Sequence, residues 1–159
     1  MRRKDREVID HEEIRGILAR SQVCTLSLAI GDEPYGVMLN YGYEMTDEGK
    51  LTLYFHSATE GRKIDMLRKN PTAAFSTYGD MEVWGEDGKP CSYTALYESL
   101  MGRGKVSFIE ESGQKRAALD ILMHNHGMAG EGHYEDAMLR RVAVLRLDVD
   151  SYTAKCNRG

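Results

Sequence analysis

Short segments in which apolar and polar residues alternate constrain the fold of this chain more than any other feature. Four of them occur in the first half of the chain, at residues 23–30, 35–43, 51–56 and 72–77. A period of two residues is typical of a half-buried strand. The link at 31–34 carries Gly and Pro and the link at 46–49 ends in Gly, as expected for tight turns. The first three segments are therefore predicted to form a meander with short links.

Three helices are predicted around these strands. Asp10 and Glu13 have the spacing of a capping box, which predicts the start of a short helix. Residues 60–69 form an amphipathic pattern that ends before Pro71, and residues 113–126 form another helical pattern. Strands dominate, and closing a sheet on itself removes its exposed edges. The pattern predicts a mainly β fold with flanking helices, in the form of a small barrel.

The second half of the chain is less regular. Residues 79–91 are polar and poorly patterned, which predicts a loop or an irregular excursion. Residues 92–108 are too long for a simple strand, and Gly102 and Gly104 predict a bulge or a close backbone approach there. Residues 142–149 alternate again and predict the last strand.

Length and charge exclude several classes of protein. The 159 residues contain no repeat and no linker, so a single domain over 1–159 is predicted. A net charge of −4 argues against a large basic surface for nucleic acid. No apolar run approaches the about 18–20 residues of a membrane span, and the charged N-terminus lacks the apolar core of a signal peptide. A cytoplasmic location is predicted, with neither nucleic acid nor membrane as a partner.

The distribution of cysteine and histidine predicts no metal site. The three cysteines have no close spacing, which fits neither a disulfide framework nor a CxxC site; they are Cys24, Cys91 and Cys156. His124 and His126 lie two residues apart on a predicted helix, so their rings point to different faces. His133 follows in a segment predicted to be a mobile connection.

The clearest functional signal lies where the third strand leads into the helix that follows it. Arg62 and Lys63 fall in the first helical turn, where the positive end of the helix dipole prefers anions. Two cations are explained there if a phosphate monoester binds the free N–H groups between the hydroxyls of Ser57 and Thr59. Alternatively, Ser57 and Glu60 form a capping box and the cations are solvated surface charges. Dipole effects of about 0.3–1 kcal/mol per charge leave both interpretations open.

Six motifs, taken in order, resemble one known family. They are Glu33–Tyr43 (EPYGVMLNYGY), 54–57 (YFHS), 60–71 (EGRKIDMLRKNP), 91–94 (CSYT), 97–99 (YES) and 102–104 (GRG). Together they resemble the Nim-like, 5-nitroimidazole-resistance branch of the pyridoxamine 5′-phosphate oxidase-like flavoproteins. The resemblance implies an FMN-binding split β-barrel, usually a homodimer with two flavins at its interface.

The resemblance also implies cofactor-binding residues. Arg62 and Lys63 match the phosphate-binding Arg-Lys pair and Ser57 a phosphate-side hydroxyl, which favours the phosphate interpretation. Leu39 and Asn40 match the strand that runs beside the flavin ring. Ser99 matches a position that reaches the flavin from the second subunit. Cys91 and Ser92 match positions near the flavin. Two residues depart from the family pattern: Met38 replaces a proline, and Ala154 replaces a common glycine.

His56 is the candidate catalytic residue. The alternation places it on the opposite face from Leu53 and Phe55, at the end of the strand that leads to the phosphate motif. An imidazole titrates near neutral pH and can donate a proton to a reduced substrate. Alternatively, His56 only hydrogen-bonds the ribityl chain of the flavin or the backbone.

Two functions from different classes follow from the resemblance. The first is an FMN-dependent oxidoreductase that passes electrons to a small oxidised acceptor such as a nitroaromatic. The second is a flavin-binding protein for storage or sensing, without rapid turnover. The chain lacks a GxGxxG fingerprint, so NADH or NADPH as donor would bind transiently at the flavin face. FAD fits in place of FMN if its adenylate end extends into solvent past Arg62 and Lys63.

Overall fold

One antiparallel sheet of eight strands dominates the computed structural model, which describes residues 3–158. The strands are β1 (Glu7–Val8), β2 (Val23–Ile30), β3 (Glu33–Asn40), β4 (Gly42–Met45), β5 (Leu51–Ala58), β6 (Thr72–Trp84), β7 (Thr94–Ile109) and β8 (Val142–Asn157). The helices are α1 (His11–Arg20), α2 (Arg62–Lys69), α3 (Ser112–Asn125) and the single turn α4 (Asp136–Leu139). The strand order is β3-β2-β6-β7-β8-β5-β4, and β1 pairs with β8.

The two ends of this strand order are joined by one residue of chain. β3 and β4 are the edge strands, yet only Tyr41 separates them in sequence. The sheet must therefore curl until its edges meet, and the result is a barrel split between β3 and β4. Tyr41 is fully buried at this junction. Its hydroxyl donates to the carbonyl of Leu18 at 3.1 Å, and its own carbonyl accepts from the Asn125 side chain at 3.1 Å. The predicted mainly β fold with flanking helices is confirmed.

Side chains fill the barrel from both the strands and the helices. The largest fully buried ones include Phe55, Phe75 and Leu100, and α1 and α2 add Ile17 and Ile64 at the ends. A second, smaller apolar cluster lies outside the barrel, where α3 and α4 cover β5 and β8; it contains Tyr54, Ala118, Leu119, Leu139 and Val144. Because β5 is covered on both faces, its first five residues are all buried.

The predicted meander is wrong. The segment 35–43 is not one strand but the end of β3 and the start of β4, interrupted at Tyr41. β3 pairs only with β2, and β4 pairs with β5, so the three segments do not follow one another across the sheet. At the interruption the carbonyl of Tyr41 accepts from the Asn125 side chain at the end of α3, and α3 packs so closely on β4 that a Cβ on Gly42 would come within 2.5 Å of the Leu122 backbone.

Two strands are longer than predicted. β6 does not end before residue 79 but continues to Trp84 after a register shift between Tyr78 and Met81, so the predicted loop at 79–91 is wrong over its first half. β8 runs on to Asn157, because its second half pairs with the equally long β7. β6 and β7 pair as a hairpin, and we call the end of this hairpin, residues 79–98, the β6–β7 arm.

The prediction of a bulge or close approach at the glycines of β7 is confirmed. The register between β7 and β8 shifts between Arg103 and Gly104. A Cβ on Gly104 would lie 1.9 Å from the carbonyl oxygen of Asp148, so only glycine fits this crossing of two backbones.

None of the helices formed within residues 3–158 is long and apolar enough to cross a membrane.

Candidate functional site

The end of β5 and the start of α2 bring a hydroxyl and an ammonium together. We call this region, residues 56–63, the β5–α2 corner. Ser57 is only 8% exposed, and its hydroxyl donates to the carbonyl of Ala58 at 3.0 Å and accepts a hydrogen bond from Lys63 Nζ. Burial lowers the pKa of the Lys63 ammonium. No carboxylate among the described residues forms an ion pair with Lys63.

The start of α2 is open. Its N-cap is Gly61, with φ +117° and no side-chain hydrogen bond to the first turn. A Cβ built on Gly61 would meet nothing within 4 Å. The helix begins at Arg62 rather than at residue 60, and Ser57 stays within β5, so the capping-box alternative for Ser57 and Glu60 is wrong. The first N–H groups of α2 therefore point to a region that an anion can enter.

Arg62 is held by residues of β3. Its guanidinium lies over the ring of Tyr35, 4.9 Å from the ring centre, and forms an ion pair with the carboxylate of Glu33. The Arg62 side chain is 53% exposed and that of Glu33 is 66% exposed. The first residues of the edge strand thus orient Arg62 beside the start of α2.

His56 lies on the outer face of β5, as predicted. Its side chain is exposed, whereas those of Phe55 and Ser57 are buried on the opposite face. Within the described part of the chain, its imidazole makes no hydrogen bond. β4 pairs with β5 only as far as Tyr54, so the backbone edge of residues 55–58 is free on the side of the split. A ligand along that edge can contact both His56 and Ser57.

Leu39 and Asn40 lie at the end of the other strand that borders the split. Leu39 is half-buried against the barrel core. Asn40 is exposed, and its side-chain amide donates to the carbonyl of Gln22 at 3.2 Å. Met38, which replaces the proline common in the resembling family, is 69% exposed on the same face as Asn40. Because β3 is an edge strand, its outer backbone N–H groups are available to a ligand.

The remaining predicted residues belong to another part of the fold. Cys91 is exposed beside the β6–β7 hairpin end, and the hydroxyl of Ser92 accepts from Glu86 N at 2.8 Å and donates to the carbonyl of Lys89 at 2.8 Å. Ser99 is half-buried in β7, between Tyr78 and Lys155 of the neighbouring strands. No described hydrogen bond links these three residues to the β5–α2 corner.

Part of the sheet is uncovered, which the sequence analysis did not predict. We call it the open sheet face; it consists of Ser27, Ala74, Ser76, Met101, Ser151 and Thr153, all exposed, and lines a shallow cavity of about 460 Å³. The cavity shares no lining residue with the β5–α2 corner. Next to it, the β6–β7 arm exposes Met81, Val83 and Trp84. The small outward residues of β2 and β6 were the available signal, because alternation with a core face leaves them outside.

Among residues 3–158, no group of three or more His, Cys, Asp or Glu side chains is placed to hold a metal ion. His124 instead forms a 2.7 Å hydrogen bond with the carbonyl of Gly130.

Comparisons with known proteins agree on one family. The family sequence model described as pyridoxamine 5′-phosphate oxidase matches residues 10–156. A solved structure of a candidate 5-nitroimidazole antibiotic resistance protein from Bacteroides thetaiotaomicron is 35% identical, covers 94% of this chain and 85% of that chain, and superposes with a TM-score of 0.79. Among curated proteins, no sequence matches the chain.

Two more distant structures share the fold. The FAD and heme binding protein from Mycobacterium smegmatis is 19% identical, with a TM-score of 0.79 and coverage of 97% of this chain and 74% of that chain. A NimC/NimA family protein from Clostridium acetobutylicum is 16% identical, with a TM-score of 0.60 and coverage of 94% and 87%.

Proposed function

The chain belongs to the pyridoxamine 5′-phosphate oxidase family, and from that membership and the site geometry we propose that it is a flavin-binding protein that holds FMN. The observation that carries the proposal is the β5–α2 corner. There, a partly buried ammonium and a buried hydroxyl meet beside an uncapped helix N-terminus. A phosphate monoester supplies the negatively charged partner that the Lys63 ammonium lacks, and it accepts hydrogen bonds from the free N–H groups of α2.

The proposed place of the flavin ring is the part of the split where β3 faces the free edge of β5, beyond the end of β4. A ligand whose phosphate is at Lys63 extends from the β5–α2 corner along the free edge of β5, past His56 and towards Leu39 and Asn40. The outer N–H groups of β3 then serve as donors to the ring. FAD fits the same arrangement if its adenylate part continues outwards past the half-exposed Arg62.

A second copy of the chain completes the proposed site. Ser99, Cys91 and Ser92 lie on or beside the β6–β7 arm, without a described hydrogen bond to the β5–α2 corner. The open sheet face and the apolar residues of the arm are uncovered, and burying such a surface favours association. We infer a homodimer in which each arm reaches the flavin held by its partner.

The proposed activity is oxidoreduction. A bound flavin supplies two-electron transfer, with NADH or NADPH as donor and a small oxidised acceptor such as a nitroaromatic. The residues of this chain fix the phosphate, orient the ring and exclude water. His56, exposed at the edge of the split, can deliver a proton from its imidazole to the reduced acceptor.

The first test is the visible absorption spectrum of the purified protein, followed by identification of the flavin released by acid. The second test compares FMN with riboflavin, which lacks the phosphate. We expect FMN to bind more tightly, and Arg62→Ala to reduce that difference. Lys69→Ala removes an exposed cation from the last turn of α2 and serves as the control. A protein that binds both flavins equally would refute the phosphate site.

A turnover assay tests the enzymatic part of the proposal. NADH or NADPH oxidation is followed with a nitroimidazole as acceptor, using protein saturated with FMN. Steady turnover supports an oxidoreductase. Flavin that stays bound without turnover, with either donor, would instead support storage or sensing.

A further inference from the structure

Arg62 differs from Lys63 in having a carboxylate partner within its own chain. Glu33 and Tyr35 lie two residues apart on β3, so both project to the same side of the strand. Tyr35 supports the guanidinium from below, and Glu33 pairs with its Nη2. Lys63, by contrast, has a neutral hydroxyl as its described partner.

This pairing changes the charge that an incoming phosphate meets. Arg62 and Lys63 alone would present two positive charges, and the Glu33 carboxylate reduces the net charge of the group to one. A phosphate monoester carries a charge of about −1.5 to −2 near neutral pH, whereas each phosphate of a diphosphate bridge carries a single charge. Repulsion by Glu33 therefore acts more strongly on a monoester.

We propose that Glu33 is a specificity-determining residue, which competes with the cofactor phosphate for Arg62 and lowers the preference for FMN over FAD. The inference rests on the proposed function, because it assumes that the phosphate binds beside Arg62. Each unit of ligand charge at about 6 Å from the carboxylate costs about threefold in affinity when water screens the pair. Glu33 thus weakens binding of FMN by about five- to tenfold and of FAD, whose second phosphate lies farther from the carboxylate, by about three- to fivefold.

The test is Glu33→Gln, which removes the charge but keeps a side-chain oxygen that accepts from Arg62. Dissociation constants of FMN, FAD and riboflavin are measured by flavin fluorescence, with the full-length protein freed of flavin. We expect FMN to bind about five- to tenfold and FAD about three- to fivefold more tightly than to the wild type, with riboflavin unchanged. Asp32→Asn is the matched control, because Asp32 is an exposed neighbour in the preceding turn and carries the same charge.

The dependence of FMN affinity on ionic strength distinguishes an electrostatic effect of Glu33→Gln from a structural one. The gain in Glu33→Gln should shrink near 1 M salt, where the screening length is about 3 Å. An equal or weaker affinity for FMN in Glu33→Gln would overturn the inference and make Glu33 a support for the guanidinium. If instead wild-type protein binds FMN and riboflavin equally and Arg62→Ala changes neither, the proposed phosphate site itself fails.

Discussion

Lys63→Met should stabilise the flavin-free protein while weakening its binding of FMN. Methionine has a similar volume and an unbranched chain, so it can follow the same path beside β5. The pKa of Lys63 is lowered by burial, which means that folding moves the ammonium into surroundings that disfavour its charge. Ser57 keeps its hydrogen bond to the carbonyl of Ala58 when the ammonium is removed. No buried polar group is therefore left without a partner.

The two expected effects have opposite signs. The free energy of unfolding should rise by about 0.5 kcal/mol, which is about 1–2 °C in the unfolding midpoint for a chain of this size. A hydrogen bond to a charged group contributes about 1.5–3 kcal/mol, so FMN should bind about 10- to 150-fold more weakly. Riboflavin, which lacks the phosphate, should bind to the variant as it binds to the wild type.

The pH dependence gives an independent check on the stability effect. A lysine whose folded-state pKa is lowered destabilises the fold most at pH values below that pKa, where both states are charged. The penalty disappears as pH rises towards the usual value of 10.5, where the unfolded state also loses its proton. The stability gained by Lys63→Met should therefore be constant near neutral pH and shrink as pH approaches 10.5.

The assays are thermal or urea unfolding of flavin-free protein and fluorescence titration with both flavins. Lys69→Met is the control, since Lys69 is exposed in the last turn of the same helix and should affect neither measurement. A variant that loses stability without flavin would show that Lys63 is a structural residue. An equal loss of FMN and riboflavin affinity would show that it does not contact the phosphate.

The remaining predictions concern packing, alkaline pH and catalysis. Gly104→Ala should lower the free energy of unfolding by about 3 kcal/mol in urea titrations, because the added Cβ would collide with the opposite backbone. Gly36→Ala is the control. The nearest atom to a Cβ on Gly36 is 3.6 Å away, so this variant should change the free energy of unfolding by less than about 1 kcal/mol. Burial raises the pKa of Tyr54 to about 12, so its absorbance near 295 nm should titrate above pH 10. Stability should fall over the same range, since tyrosine ionises first in the unfolded chain. His56→Ala should leave unfolding unchanged and, in protein saturated with FMN, lower nitro-acceptor turnover about 100-fold. Full turnover would exclude the proton-donor role.

The parts of the site that the sequence predicted are those built from neighbouring residues. The strand ending near Ser57, the helix containing Arg62 and Lys63, and the stop before Pro71 all follow from local rules of alternation and helix termination. The outward position of His56 follows from the same alternation, because a strand has only two faces. Such features need no knowledge of which strands are paired.

Strand order could not be predicted in this way. The interruption at Tyr41 depends on α3, which lies about eighty residues later and presses on Gly42. The end of β6 was missed for a different reason: the register shift between Tyr78 and Met81 interrupts the strand, and the alternation of residues 80–83 beyond it is short. In both cases the deciding contact lies with a strand or helix that local alternation does not identify.

The proposed phosphate site and the proposed ring position therefore depend on different parts of the chain. The β5–α2 corner is built from residues close in sequence, and it carries the charged side chains of the proposed phosphate site. The proposed ring position is bordered by β3 and β5, which are not paired with each other, and in the proposed homodimer an arm from the second copy completes it. Changes in the arm can therefore alter what reaches the flavin ring without disturbing the phosphate anchor. Binding of the cofactor and choice of the acceptor are then properties of separate segments of the chain.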